Sequence, residues 1–167
     1  MQRRSLLKLG LGSAAVLALG GGAVALLQPG LAGSRLSATG REVFQQVGRA
    51  ILEGSLPQGP AGAQAVSGLL DRIDALVAAL PPHAQSELSQ LLALLAAAPG
   101  RRLLAGLPVA WPQAGVVQIQ QALQEMRTSS IALRQQAYLA LHDIVSGAYF
   151  SEPATWPLLG YPGPVAV

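Results

Sequence analysis

Between residues 63 and 80 the apolar side chains Val66, Leu69, Leu70, Ile73, Leu76, Val77 and Leu80 recur three and four positions apart. That spacing collects them on one face of an α-helix, whereas a strand, with its two-residue period, would scatter them over both faces. The same pattern returns along the chain, and proline or glycine punctuates each repetition. Thr39-Gly40-Arg41-Glu42 has the form of a capping box and opens a first helix that carries Val43, Phe44, Val47, Ile51 and Leu52 on one side. Gly54 to Gly62, with two prolines and three glycines, reads as a loop before a second helix from about Ala63 to Leu80. Pro81-Pro82 stops that helix and starts a third, with Leu88, Leu91, Leu92 and Leu95 as its stripe, and Pro99-Gly100 ends it. A short segment, Arg101 to Leu107, leads through Pro108 and Trp111-Pro112 into a last helix or helix pair from about Gly115 to Tyr149, with Thr128-Ser129-Ser130 as the candidate break. No strand-like alternation of any length intervenes, so the expected fold is all-α, a small helical bundle.

The 167 residues contain no cysteine, which removes disulfides, thiol nucleophiles and cysteine-ligated iron–sulfur or haem centres from consideration. Of the 11 basic residues, Arg3, Arg4 and Lys8 stand before residue 10. The other eight, all Arg, face eight acids. The body is neutral and offers no basic surface for phosphates, so nucleic acid is not an expected partner.

The basic cluster belongs to a leader. Arg3-Arg4-Ser5-Leu6-Leu7-Lys8 precedes an uncharged run from Leu9 to Leu27 that is broken by Gly10, Gly12, Gly20, Gly21 and Gly22. A charged start followed by an apolar run is expected to be a secretory signal, and the arginine pair with Leu6, Leu7 and Lys8 behind it points to the twin-arginine kind, with an ordinary Sec leader as the alternative. Gln2 and Leu6 depart from the commonest residues at their places in that motif. The glycines suit it, because they weaken the helix and lower its hydrophobicity. Two small-x-small sites follow: Gly30-Leu31-Ala32, which is preferred, and Ala23-Val24-Ala25. Left uncut, about 19 apolar residues could also just span a bilayer, so membrane contact through the leader is an open alternative. Ser5-Leu6-Leu7-Lys8 and Gly10-Leu11-Gly12-Ser13-Ala14-Ala15 mimic catalytic and nucleotide motifs but lack the surrounding strand and fold those motifs need.

Catalytic residue types are few. His83 sits at a helix start, and His142-Asp143 lies in the last helix, where adjacent positions do not face each other. Asp71 and Asp74 share a face with Arg72 between them and read as a solvated edge. No zinc-ligand spacing is present, and the chain is expected to be no enzyme, to hold no metal and to carry no cofactor.

The C-terminus differs in kind. Residues 149–164 hold four of the twelve prolines and four of the seven aromatics: Tyr149, Phe150, Trp156 and Tyr161. Proline fixes φ and removes a donor, so an extended, turn-rich strap is expected. Its aromatics either fold back on the bundle or fill pockets on another protein. Tyr149-Phe150-Ser151, Trp156 and Leu159-Gly160-Tyr161-Pro162-Gly163-Pro164 together resemble the C-terminal signature of the gluconate 2-dehydrogenase subunit 3 family. Those are small subunits of bacterial membrane-associated flavin dehydrogenases for sugars, sugar acids and alcohols, and many begin with a twin-arginine leader.

The resemblance implies a non-catalytic subunit whose partner is a large FAD-containing protein of the glucose–methanol–choline type. That partner would be carried, folded and loaded, through the twin-arginine translocase to the periplasmic side of the cytoplasmic membrane, with a c-type cytochrome subunit as a further associate. It also implies a division into a signal segment (1–32), a helical bundle (33–148) and a partner-binding tail (149–167) in which Tyr149, Phe150, Trp156, Gly160, Tyr161, Pro162, Gly163 and Pro164 make the contact. The alternative is a free-standing exported helical scaffold or binding protein.

Overall fold

Helix α1 (Ala38–Ile51) forms because its apolar residues repeat at helical spacing, and it sits at the centre because that stripe is wide. Val43, Phe44 and Val47 have no solvent exposure, and α1 packs against four of the other five helices. Those neighbours are α2 (Pro60–Ala78), α3 (Pro82–Ala96), α5 (Val116–Arg127) and α6 (Ala132–Phe150); a short α4 (Ala98–Leu104) follows α3. The computed structural model describes residues 27–163, and among them the chain is an all-α bundle of six helices. The export residues Arg3, Arg4, Leu6, Leu7 and Lys8, the Ala23-Val24-Ala25 site and Pro164 lie outside the described residues.

Helix boundaries differ from the sequence expectation by the chemistry of their caps. Ser37, extended at φ −70° and ψ 173°, accepts the Gly40 N–H at 3.2 Å and bonds the Thr39 hydroxyl at 2.9 Å. The cap therefore lies two residues ahead of the expected Thr39 box. Helix α2 starts at Pro60, whose missing N–H costs nothing in a first turn. Helix α4 takes Pro99-Gly100 into its own first turn instead of beginning after it. The expected break at Thr128-Ser129-Ser130 separates α5 from α6.

One element went unforeseen. Leu31–Ala32 (β1) and Arg35–Leu36 (β2) form an antiparallel hairpin, with Leu31 opposite Leu36 and Ala32 opposite Arg35. It crosses the expected signal boundary at residue 32 and packs on the bundle, burying Leu31 and Leu36. Asp74 fastens it: its Oδ1 accepts the Leu36 N–H at 2.7 Å, and its Oδ2 accepts Arg41 Nη1 at 2.6 Å. Arg41 Nη2 donates to Asp71 at 3.0 Å. Asp74 is thus a clamp between α1, α2 and the hairpin, and the solvated edge describes only Asp71. Partial burial would lower the Arg41 pKa, but the hydrogen bonds and charges of Asp71 and Asp74 outweigh it and hold the guanidinium above its ordinary value.

The segment joining α4 to α5 is folded inward. Trp111 is fully buried in a 3₁₀ turn (Trp111–Gln113), and its indole N–H donates to the Leu95 carbonyl at 2.8 Å. That bond satisfies the one polar atom of a side chain otherwise suited to the core. Since Phe44 is enclosed on every side, Phe44→Ala is expected to cost about 3–5 kcal/mol of unfolding free energy, measured by denaturant titration. A loss below about 1 kcal/mol would mean that α1 is not the packing centre.

Candidate partner-docking site at the C-terminal tail

The aromatics expected to make one contact surface are divided by the fold into two pairs. Tyr149 and Phe150 end α6 and point to different sides of it. Tyr149 is buried, and its hydroxyl donates to the Ser55 carbonyl at 2.9 Å, so the whole side chain serves the bundle. Phe150 is half-buried and meets Tyr149 edge-on, with ring centres 5.1 Å apart. The second pair is Trp156 and Tyr161, with centres 5.4 Å apart.

The tail folds back as a 3₁₀ turn, Pro153–Leu159, where an extended strap was expected. Proline's fixed φ near −65° suits 3₁₀ geometry as well as extended chain, and Pro153 stands in the first turn, where a missing N–H is harmless. Side chains then choose between the two. The buried Thr155 hydroxyl reaches the carbonyls of Glu152 at 2.7 Å and Tyr149 at 3.1 Å. The Trp156 indole N–H donates to the Phe150 carbonyl at 2.9 Å. Arg72 reaches across from α2, donating from Nε to the Ala148 carbonyl at 2.8 Å and lying 3.8 Å from Glu152. Gly160, left-handed at φ +67°, ends the turn, and the Tyr161 N–H returns to the Trp156 carbonyl at 3.2 Å. Gly163, also at positive φ, lies against the Trp156 ring.

The result is an open cleft of about 320 Å³ lined by Pro153, Trp156, Pro157, Gly160, Tyr161 and Pro162. Tyr161 is 47% exposed, and the three prolines are exposed beside it. None of the six lining residues carries a carboxylate, imidazole, amine or guanidinium, and the cleft presents two aromatic rings and three prolines, faces suited to apolar contact. Pro153 and Pro157 were not among the expected contact residues. The sequence signal at these two positions is the proline content of the tail, from which an extended strap was expected.

The histidines lie elsewhere. His83 is exposed at the start of α3. His142 Nδ1 approaches Asp143 Oδ1 to 3.2 Å, a contact that the angular separation of adjacent helix positions argued against. The contact lies at the helix surface, where Tyr138 stacks on the imidazole with ring centres 5.5 Å apart. Both residues of the pair are exposed, and neither lines the tail cleft. Among the described residues no three His, Asp or Glu side chains are grouped as a metal site.

These placements separate two roles by stability. Tyr149→Phe, which strands the Ser55 carbonyl, should cost about 0.5–1.5 kcal/mol, and Tyr161→Ala should change stability by no more than about 0.5 kcal/mol, both read by thermal or denaturant unfolding. Equal losses at the two positions would contradict the division into an inner and an outer pair.

In comparisons with known proteins, no family model, no curated protein and no solved structure matches this chain.

Proposed function

We propose that this chain is the non-catalytic small subunit of a bacterial FAD-dependent dehydrogenase of the glucose–methanol–choline type. In this reading it carries the folded, flavin-loaded large subunit through twin-arginine export and stabilises it at the periplasmic face of the cytoplasmic membrane. The observation that carries the proposal is the exposed aromatic–proline cleft. It is formed by Trp156, Gly160, Tyr161 and Pro162, residues through which the sequence resembles the gluconate 2-dehydrogenase subunit 3 family. Aromatic anchors flanked by prolines lose little conformational entropy on docking, and such anchors commonly dominate interface energies.

The leader supports the same reading. A twin-arginine signal is most useful for cargo that must fold around its cofactor before crossing the membrane, and the flavoprotein is such a cargo. FAD belongs to that partner, and electrons would pass onward to a c-type cytochrome subunit or another acceptor. Among the described residues no helix is long and apolar enough to cross a membrane, so membrane attachment would fall to the leader.

The free-standing exported scaffold remains the second reading, and one observation favours it: the tail is hydrogen-bonded to the end of α6 through Thr155 and Trp156, with Arg72 of α2 3.8 Å from Glu152. Tyr161 separates the two, because its ring is the exposed member of the outer pair. Losing a buried aromatic anchor costs about 2–4 kcal/mol, or about 30- to 700-fold in affinity. Tyr161→Ala should weaken capture of the flavoprotein by the tagged chain to that extent, with helical content unchanged by circular dichroism. Undiminished capture would favour the scaffold.

The export role has its own test. Replacing Arg3 and Arg4 by Lys is expected to leave both this chain and its flavoprotein in the cytoplasm on cell fractionation. A large subunit that still reached the periplasm would end the hitchhiking proposal.

A further inference from the structure

Gly30-Leu31-Ala32 has the small-x-small form that a signal peptidase cuts, with Gly30 and Ala32 as the two small residues. Each of the three has a structural occupation. The Gly30 N–H donates to the Ser89 carbonyl at 3.2 Å, and its own carbonyl accepts the Ser37 N–H at 3.0 Å. A Cβ at Gly30 would stand 2.3 Å from Leu92 Cβ and 2.7 Å from the Ser89 carbonyl oxygen. On the other side, a Cβ at Gly40 would stand 2.2 Å from the Gly30 carbonyl oxygen. The backbone at residue 30 is therefore held between α3 and α1 with no space left over. Leu31 is buried, its N–H donates to Ser89 Oγ at 3.1 Å, and Ala32 pairs with Arg35 in the hairpin. Packing alone requires a glycine at position 30, so its smallness needs no peptidase to explain it.

A peptidase takes its substrate as an extended strand, pairing with the backbone on both sides of the cut bond. Here those backbone groups are already bonded to Ser89, Ser37 and the partner strand. The twin-arginine route matters at this point, because its cargo crosses folded and meets the peptidase with the hairpin formed. We infer that residues 29–36 are an N-terminal clasp kept in the exported protein, with the bond after Ala32 closed to processing and Ala23-Val24-Ala25 left as the site open to it. The inference about processing rests on the export reading above; the clasp itself does not.

The experiment uses the full chain with a C-terminal tag. Cells are fractionated, and the N-terminus of the exported protein is determined by intact mass. An N-terminus at Leu26, or at any residue up to Pro29, agrees with the inference, as does an intact Met1; an N-terminus at Gly33 overturns it. If the chain stays in the cytoplasm, the export reading fails instead, and limited trypsin digestion of that same purified chain still decides the clasp.

Arg35 is exposed on β2, so the bond to Leu36 is protected by the hairpin pairing and by the hold of Asp74 on the Leu36 N–H, both of which need the hairpin seated on the bundle. Cleavage there should be at least about tenfold slower in the wild type than in Gly30→Ala, which forces the strand off α3. Ser89→Ala, which removes only the Leu31 acceptor and keeps the helix, serves as the comparison if Gly30→Ala loses its helical signal. Equal cleavage in wild type and variant overturns the clasp.

Discussion

Burial of the apolar face of α1 is the constraint on which the rest of the structure depends. A 14-residue helix whose Val43, Phe44 and Val47 see no solvent, while Glu42 stays exposed, must be covered along that whole face, and a cysteine-free chain holds those covers in place by packing and hydrogen bonds. The covering layer is close where α1 is small. At Gly48, a Cβ would stand 2.8 Å from the Leu69 side chain of α2, and at Gly40 the hairpin backbone takes the space instead. The hairpin is thus not an ornament on the bundle, for the chain leading into it fills the space over Gly40 beside Leu92 of α3. Trp111 and the inward segment around it cover α1 elsewhere, at the end of α3.

What could be read in advance follows from the length of each signal. Helices α2, α3 and α6 repeat their apolar positions over four or five turns, and such a pattern has no competing interpretation. The polar run at Thr128-Ser129-Ser130 falls between α5 and α6 and marks a true break. The hairpin strands have two residues each, too few to show any period, so nothing in the sequence distinguished them from the end of a leader. Asp74 was misjudged for another reason. Helical spacing tells which residues share a face, but not that Arg41 and the Leu36 N–H arrive from elsewhere in the chain to meet that face. Spacing also fixes only where side chains leave the helix and not where their ends lie, which hid the His142–Asp143 contact.

The tail shows how a correct local rule leaves a global choice undecided. Proline restricts φ to a value shared by extended and 3₁₀ backbone, so composition alone could not choose. The choice is made by two donors, the Thr155 hydroxyl and the Trp156 indole, which find carbonyls at the end of α6 only when the chain turns back. Turning back spends Tyr149 on the core and leaves Tyr161 outside. Partner binding and self-covering, which the sequence presented as alternatives, are compatible in such a segment, because they can fall to different residues. On the proposed function the inner pair sets the position of the turn, and the outer pair with its prolines meets the flavoprotein.

Both described ends of the chain are tied to the same helix. Termini stay ordered only when something holds them, and here α2 holds both. Asp74 binds the hairpin through the Leu36 N–H, while Arg72 binds the end of α6 through the Ala148 carbonyl and approaches Glu152 at the start of the tail. Positions i and i+2 of a helix are separated by about 200° around its axis, so the two side chains leave α2 on nearly opposite sides. One short polar stretch, Asp71-Arg72-Ile73-Asp74, thus serves the hairpin on one side and the tail on the other, while Ile73 between them is fully buried. A solvated edge would tolerate exchange of these charges. Here each has a separate partner, and exchanging Arg72 with Asp74 would place a carboxylate against a carbonyl and a guanidinium against an N–H, releasing both ends at once.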